Sequence, residues 1–197
     1  ILPVAEEGLG ALIERNVKAG RLRFTTELRD VASCAIVWIA IDTPCDTHNR
    51  PHMLPIRSML SSLAPHLTDG VCVVVSSQVP VGSGEKLRLL IREKNPHLRF
   101  SYCYQPENLQ LGRALQGFFH PARIVAGVDA TKTQAVIERI FSGIDAPKLY
   151  MSIASAEMAK HAVNAFLATS LSFIYDLSDM CEAYGADVLR VSEALKS

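Results

Sequence analysis

Short apolar runs bounded by turn residues and alternating with helically spaced segments constrain this chain more than any other feature. The runs occupy 21–26, 34–41, 71–77, 99–105, 123–128 and 148–153. Several are almost continuous in Val, Ile and Ala, the pattern of strands covered on both faces. Between them, 6–19, 53–63, 84–94 and 131–143 repeat apolar residues at helical spacing, with Asp129 or Thr131 as a cap for the last and Gly143 as its stop. Strand alternating with helix predicts an α/β fold: a parallel sheet with helices on both faces. Ligands of such sheets bind beyond the carboxyl ends of the strands. The loops there are Asp42-Thr43-Pro44, Ser76-Ser77-Gln78-Val79-Pro80-Val81-Gly82 and Gln105-Pro106-Glu107.

From Ala154 the pattern changes. About thirty residues run to Gly185 without Pro or Gly, enough for a helix about 45 Å long at roughly 1.5 Å per residue. Asp187 caps one further helix that stops at the chain end. The expected organisation is a sheet domain over 1–153 and, over 154–197, a connecting helix whose apolar flank serves as a dimer surface. Early in that helix, Glu157, Lys160 and Asn164 share one face. A lysine and a carboxamide are costly to bury on an apolar helix unless a polar group meets them. That group is a substrate oxygen, the neighbouring Glu157, or bulk water.

Composition narrows the classes. Lys plus Arg and Asp plus Glu balance at 20 each, leaving no basic surplus to attract nucleic acid. The longest apolar runs reach about eight residues, too short for a membrane span, and the first residues lack the pattern of a signal peptide. The chain begins without Met, so its start reads as cut. Five scattered cysteines (34, 45, 72, 103 and 181) show neither a disulfide frame nor zinc spacing, which points to a reducing, cytoplasmic setting. Cys34, Cys72 and Cys103 read as small hydrophobes within the strands. Cys45, His48 and His52 share a loop, but Pro51 interrupts it and no metal site is expected. Trp38 reads as core, and Met151, Met158 and Met180 as core or interface filler.

Three constellations carry candidate chemistry. Glu107, past a strand end and fixed by Pro106, is either a general base or ribose anchor, or a solvated loop acid. Lys160 and Asn164 either hold a developing oxyanion, or are a snorkelling lysine and a turn-bonded asparagine. The Val79-Pro80-Val81-Gly82-Ser83-Gly84 loop either presents amides to a phosphate or is an ordinary strand-to-helix turn.

The ordered set of segments resembles the UDP-glucose/GDP-mannose 6-dehydrogenase family. The matching pieces are Pro3-Val4-Ala5-Glu6-Glu7-Gly8-Leu9, Gly20-Arg21-Leu22-Arg23-Phe24-Thr25-Thr26, Ile41-Asp42-Thr43-Pro44, Ala64-Pro65-His66-Leu67 and Val79-Pro80-Val81-Gly82. They continue with Pro106-Glu107-Asn108-Leu109 and Gly112, His120-Pro121-Ala122-Arg123-Ile124-Val125, Ala156-Glu157-Met158-Ala159-Lys160, Asn164-Ala165-Phe166-Leu167-Ala168-Thr169 and Cys181-Glu182. The resemblance implies a Rossmann-like sheet, incomplete at its N-terminus, followed by the family's central dimerisation helix. It implies an NAD-dependent oxidation of a nucleotide-sugar primary alcohol to the uronic acid, with a UDP-sugar ahead of a GDP-sugar. Two hydrides leave in succession, and a cysteine thiohemiacetal and thioester carry the intermediate. Thr43, Pro44 and Gln78, with Glu107, then border the NAD site. Glu107, Asn108, Leu109, Gln110 and Leu111 cradle the sugar and its phosphates. Glu107 assists thioester hydrolysis, Lys160 stabilises the oxyanion, and Asn164 stands beside it. The expected partner is a second copy, through the central helix.

The chain departs from the family in several places. Its Gly-x-Gly-x-x-Gly turn and its Gly-Gly-x-Cys nucleophile do not occur in these 197 residues. Gln78 replaces a usual Thr, Leu111 a frequent second Glu, and Ser170 a common Lys. The polypeptide alone is therefore expected not to turn over. Two other readings remain: a non-catalytic nucleotide-binding and oligomerisation module, and a two-electron hydroxyacid-type dehydrogenase.

Overall fold

In the computed structural model, which describes residues 6–48 and 50–195, the strands β1 (Ile36–Ile39), β2 (Cys72–Val75), β3 (Ser101–Tyr104), β4 (Ile124–Val128) and β5 (Lys148–Met151) form one five-stranded sheet in sequential order. Pro3, Val4 and Ala5, which carry part of the resemblance, lie outside the described residues. Helices α1 (Leu9–Lys18), α2 (Leu54–Leu63), α3 (Ser83–Lys94), α4 (Ala114–Phe119), α5 (Thr131–Ile140), α6 (Ile153–Tyr184) and α7 (Val188–Ala194) complete the order, with short 3₁₀ segments at Leu28–Ser33 and Ala64–His66. The chain divides into two compact units after Glu157.

The near-continuous apolar composition of β2 follows from its place in the sheet. Val73 and Val75 face a cluster with Ile56, Leu60 and Leu63 of α2 and Leu87, Leu90 and Ile91 of α3. Cys72 and Val74, on the alternate face, join Cys103, Ile137 and Phe141 under α5. A side chain of this size contributes about 1.5–3 kcal/mol when fully buried.

One directional expectation fails. β1–β2, β2–β3 and β4–β5 are parallel, but β3 and β4 pair antiparallel through Cys103↔Val128 and Tyr104↔Gly127. The connection from β3 to β4 holds only the six-residue α4, and an antiparallel neighbour needs no full crossover helix. Asp129, expected as a cap, closes this ladder instead. Its Oδ2 accepts the Tyr102 N–H (3.2 Å) and its Oδ1 the Thr133 hydroxyl (2.5 Å), while Ala130 occupies the cap position of α5.

The expected strand at 21–26 is coil. Arg21 and Leu22 donate their N–H groups to the Asn16 carbonyl at the end of α1, and Phe24 is 72% exposed. Cys34 is exposed and precedes β1, whereas Cys72 and Cys103 are buried. Trp38 is not core: it is 36% exposed, with Phe141 edge-on at 6.0 Å. Met158 and Met180 are also exposed, and Met151 packs against the first cluster. The long helix forms as expected, and Asp187 caps α7 by accepting the Leu189 N–H (2.9 Å).

α6 starts hard against the sheet. A Cβ on Gly127 of β4 would stand 2.7 Å from the Ile153 Cα and 2.8 Å from the Ala156 Cβ. Backbone cannot retreat as a flexible side chain can. Gly127→Ala is therefore expected to cost about 1–3 kcal/mol or more in denaturant unfolding, whereas Gly143→Ala, whose added Cβ meets nothing within 4 Å, stays within about 0.5 kcal/mol. Equal midpoints for the two variants would contradict the packing.

Burial, and next the charge of Glu157, push the Tyr104 phenol up to about 12 from an ordinary 10.0. Tyr102 is raised from the same two causes. A raised phenol favours the folded state fully below its unfolded value, and that contribution is lost as pH rises through the folded value. Alkaline unfolding is therefore expected between about pH 10 and 12, with the Tyr104 phenolate absorbance appearing together with loss of the fold. Ionisation of all five tyrosines in an intact fold would contradict this.

Candidate active site

The carboxyl ends of β1, β2 and β3 gather the loops that the sequence marked. The Ser77 hydroxyl accepts the Ile41 N–H (3.0 Å), and the Thr43 hydroxyl donates to the Gln78 carbonyl, so the first two loops are stitched together. The Pro44 carbonyl accepts the His52 N–H (2.8 Å). Asp46 Oδ1 takes the amides of His48 and Arg50, which uses this loop's acid for its own turn. Among the described residues no group of three or more His, Cys, Asp or Glu is placed to hold a metal ion.

A side-chain relay that sequence reasoning did not find ties the three strand ends. The Trp38 indole N–H donates to Ser76 Oγ (2.6 Å), Ser76 donates to Gln105 Oε1 (3.1 Å), and Gln105 Nε2 donates to the Pro106 carbonyl (2.9 Å). It ends at the peptide before Glu107. Residue type gave a signal only in retrospect: a Trp at a strand end has a donor that needs a partner.

Glu107, Asn108, Leu109, Gln110 and Leu111 form one exposed loop. Glu107 Oε2 accepts the Leu109 N–H (2.7 Å), so the carboxylate shapes the loop it stands on. Leu111 is 85% exposed. Gln78 is exposed and Thr43 half-buried. In the second unit, Lys160 is half-buried and Asn164 exposed on α6, four residues apart.

The 79–84 turn takes an anion, but an internal one. Gly82 N–H donates to Glu157 Oε2 and Gly84 N–H to Glu157 Oε1, both at 2.6 Å, and Glu157 is fully buried. The phosphate reading of this turn is therefore set aside. An open groove of about 640 Å³ lies elsewhere, between α1 and α4, where Leu12, Arg15, Leu115, Phe119 and His120 line it. Its shallow walls bring together no acid–base pair, so the strand ends remain the better candidate.

The model for the NAD binding domain of the UDP-glucose/GDP-mannose dehydrogenase family matches residues 1–145, and the model for that family's central domain matches 154–197. UDP-glucose 6-dehydrogenase YwqF of Bacillus subtilis is 37% identical over 98% of this chain and 44% of its own length. UDP-glucose 6-dehydrogenase TuaD of the same organism is 32% identical over 99% and 43%. The structure of a UDP-glucose dehydrogenase from Pyrobaculum islandicum superposes with a TM-score of 0.92 at 30% identity, covering 98% of this chain and 46% of that one. The chain thus spans less than half the length of the relatives it matches. With both halves matched in order and the strand-end loops in place, the chain belongs to the UDP-glucose/GDP-mannose dehydrogenase family.

Proposed function

We propose that this chain is the cofactor half and connecting helix of an NAD-dependent nucleotide-sugar 6-dehydrogenase, which oxidises the primary alcohol of a UDP- or GDP-sugar to the uronic acid in a four-electron reaction. The observation that carries the reading is the assembly of the Thr43, Gln78 and Glu107 loops at one edge of the sheet. The described residues fit the nicotinamide-ribose end of NAD: the Thr43 hydroxyl and the exposed Gln78 carboxamide stand beside Pro44 at the strand ends. They do not supply the pyrophosphate contacts, because the amides of the 79–84 turn are filled by Glu157. When bound, NAD supplies the hydride acceptor.

The roles follow from the chemistry of the side chains. Thr43, Pro44 and Gln78 border the cofactor. The loop of Glu107, Asn108, Leu109, Gln110 and Leu111 cradles the sugar nucleotide, and Glu107 directs water at the acyl carbon. Lys160 stabilises the alkoxide formed when the primary alcohol loses its proton ahead of hydride transfer, with Asn164 as its carboxamide partner. UDP-sugars lead GDP-sugars because both UDP-glucose relatives exceed 30% identity. A second copy joins through α6, whose Phe166, Leu171, Phe173 and Tyr175 are all more than half exposed. No described helix is long and apolar enough to cross a membrane, and the enzyme acts in the cytoplasm, supplying uronic acids for polysaccharide synthesis.

The test is NADH formation by the full-length gene product with UDP-glucose and then other UDP- and GDP-sugars. Lys160→Ala is expected to lower the rate about 10²–10³-fold with the fold intact, and the 197-residue chain alone to remain inactive. An unchanged rate for Lys160→Ala, or robust NADH formation by the isolated chain, overturns the assignment.

A further inference from the structure

We propose that Glu157 is a positioning residue: its carboxylate sits as a built-in anion on the N-terminus of α3 and so fixes where α6 leaves the sheet, three residues before Lys160. The role assigned to Lys160 rests on the function proposed above; the clamp itself does not.

The geometry is that of anion recognition. Each carboxylate oxygen takes a different amide, Gly82 N–H on Oε2 and Gly84 N–H on Oε1, at 2.6 Å, the short distance of a charge-assisted bond. The two donors are the N-cap residue Gly82 and, in the first turn, Gly84 of a twelve-residue helix, where unpaired N–H groups and the helix dipole favour a negative charge. The site is closed. Glu157 and Ala156 have zero exposure, and the Tyr102 and Tyr104 rings are fully buried in the same region. A Cβ on Gly84 would lie 2.4 Å from Ile153 Cγ2 and 3.1 Å from Glu157 Oε1, so α3 and the first turn of α6 meet without a spare atom between them.

This chemistry demands a carboxylate rather than a polar side chain of the same shape. Both partners are donors. Glutamine offers one acceptor and turns an NH₂ group toward the other N–H, and aspartate is one methylene too short to span both. In this design the strand-end turn next to Gln78 and the first turn of α6 are set by one side chain. Tilting that first turn would carry Lys160 off its oxygen, and misplacement of a catalytic group by about 1 Å can cost about 10²-fold in rate.

The experiment uses the full-length protein with Glu157→Gln and Glu157→Ala. Glu157→Gln is expected to lower Tm, and to lower kcat about 10²-fold while KM for NAD stays within about twofold. Glu157→Ala leaves a carboxylate-shaped void above two amides, so added formate is expected to raise its Tm and restore part of its kcat, leaving the parent protein unmoved. A Glu157→Gln protein with parental Tm and kcat overturns the proposal. So does a Glu157→Ala protein that responds to formate no more than the parent does. Should Glu157→Ala not accumulate as folded protein, the Glu157→Gln kinetics decide: a lowered kcat per folded molecule, with the folded fraction counted by circular dichroism, supports positioning, and a parental kcat per folded molecule contradicts it. Absence of sugar-dependent NADH formation by the parent would sink the functional reading alone, since the formate effect on Tm needs no turnover.

Discussion

A fully buried carboxylate held by two backbone amides is the interaction on which the rest of this structure depends. Its energetics explain its purpose. Removing a carboxylate from water costs several kcal/mol even after relaxation. Two hydrogen bonds to a charged group return about 1.5–3 kcal/mol each, and a helix N-terminus adds up to about 2 kcal/mol in partly buried geometry. Gain and cost are of similar size, so the clamp contributes little net stability. What it contributes is location: any displacement of the first turn of α6 relative to α3 keeps the full desolvation cost and loses the bonds. The Gly127 and Gly84 contacts act in the same sense, because close-packed backbone has few alternative positions.

That location matters because the strand-end loops are not independent of one another. Thr43 is tied to Gln78, Ile41 to Ser77, and Trp38 through Ser76 and Gln105 to the peptide before Glu107. Neutral side-chain bonds of this kind are worth about 0.5–1.5 kcal/mol each. Together they tie the loops at the ends of β1, β2 and β3 to one another. Catalysis that depends on placing charge against charge gains from such preorganisation more than from any single contact.

Much of the fold was legible in the sequence. Val71–Val75 and Val125–Ala126 announce strands by composition, and the uninterrupted stretch after Ala154 announces α6. What stayed hidden was non-local. A run such as 21–26 alternates like a strand, yet strand formation needs a neighbour, and its amides turn to Asn16 instead. The reversal of β4 against β3 was equally invisible, since apolar alternation fixes which faces are buried and carries no chain direction. The loops of Thr43, Gln78 and Glu107 could be located at strand ends because such loops are local features. Glu157 could not. Helical spacing puts it with Lys160, while its true partners are Gly82 and Gly84, more than seventy residues earlier.

Amide hydrogen exchange at Gly82 and Gly84 tests the central interaction most directly. If the Glu157 carboxylate holds both, these two N–H groups, at the otherwise unpaired start of a helix, exchange as slowly as the core amides of β2, opening only when the domain unfolds. Fast exchange at either glycine, at the rate of an uncapped helix end, would contradict the account.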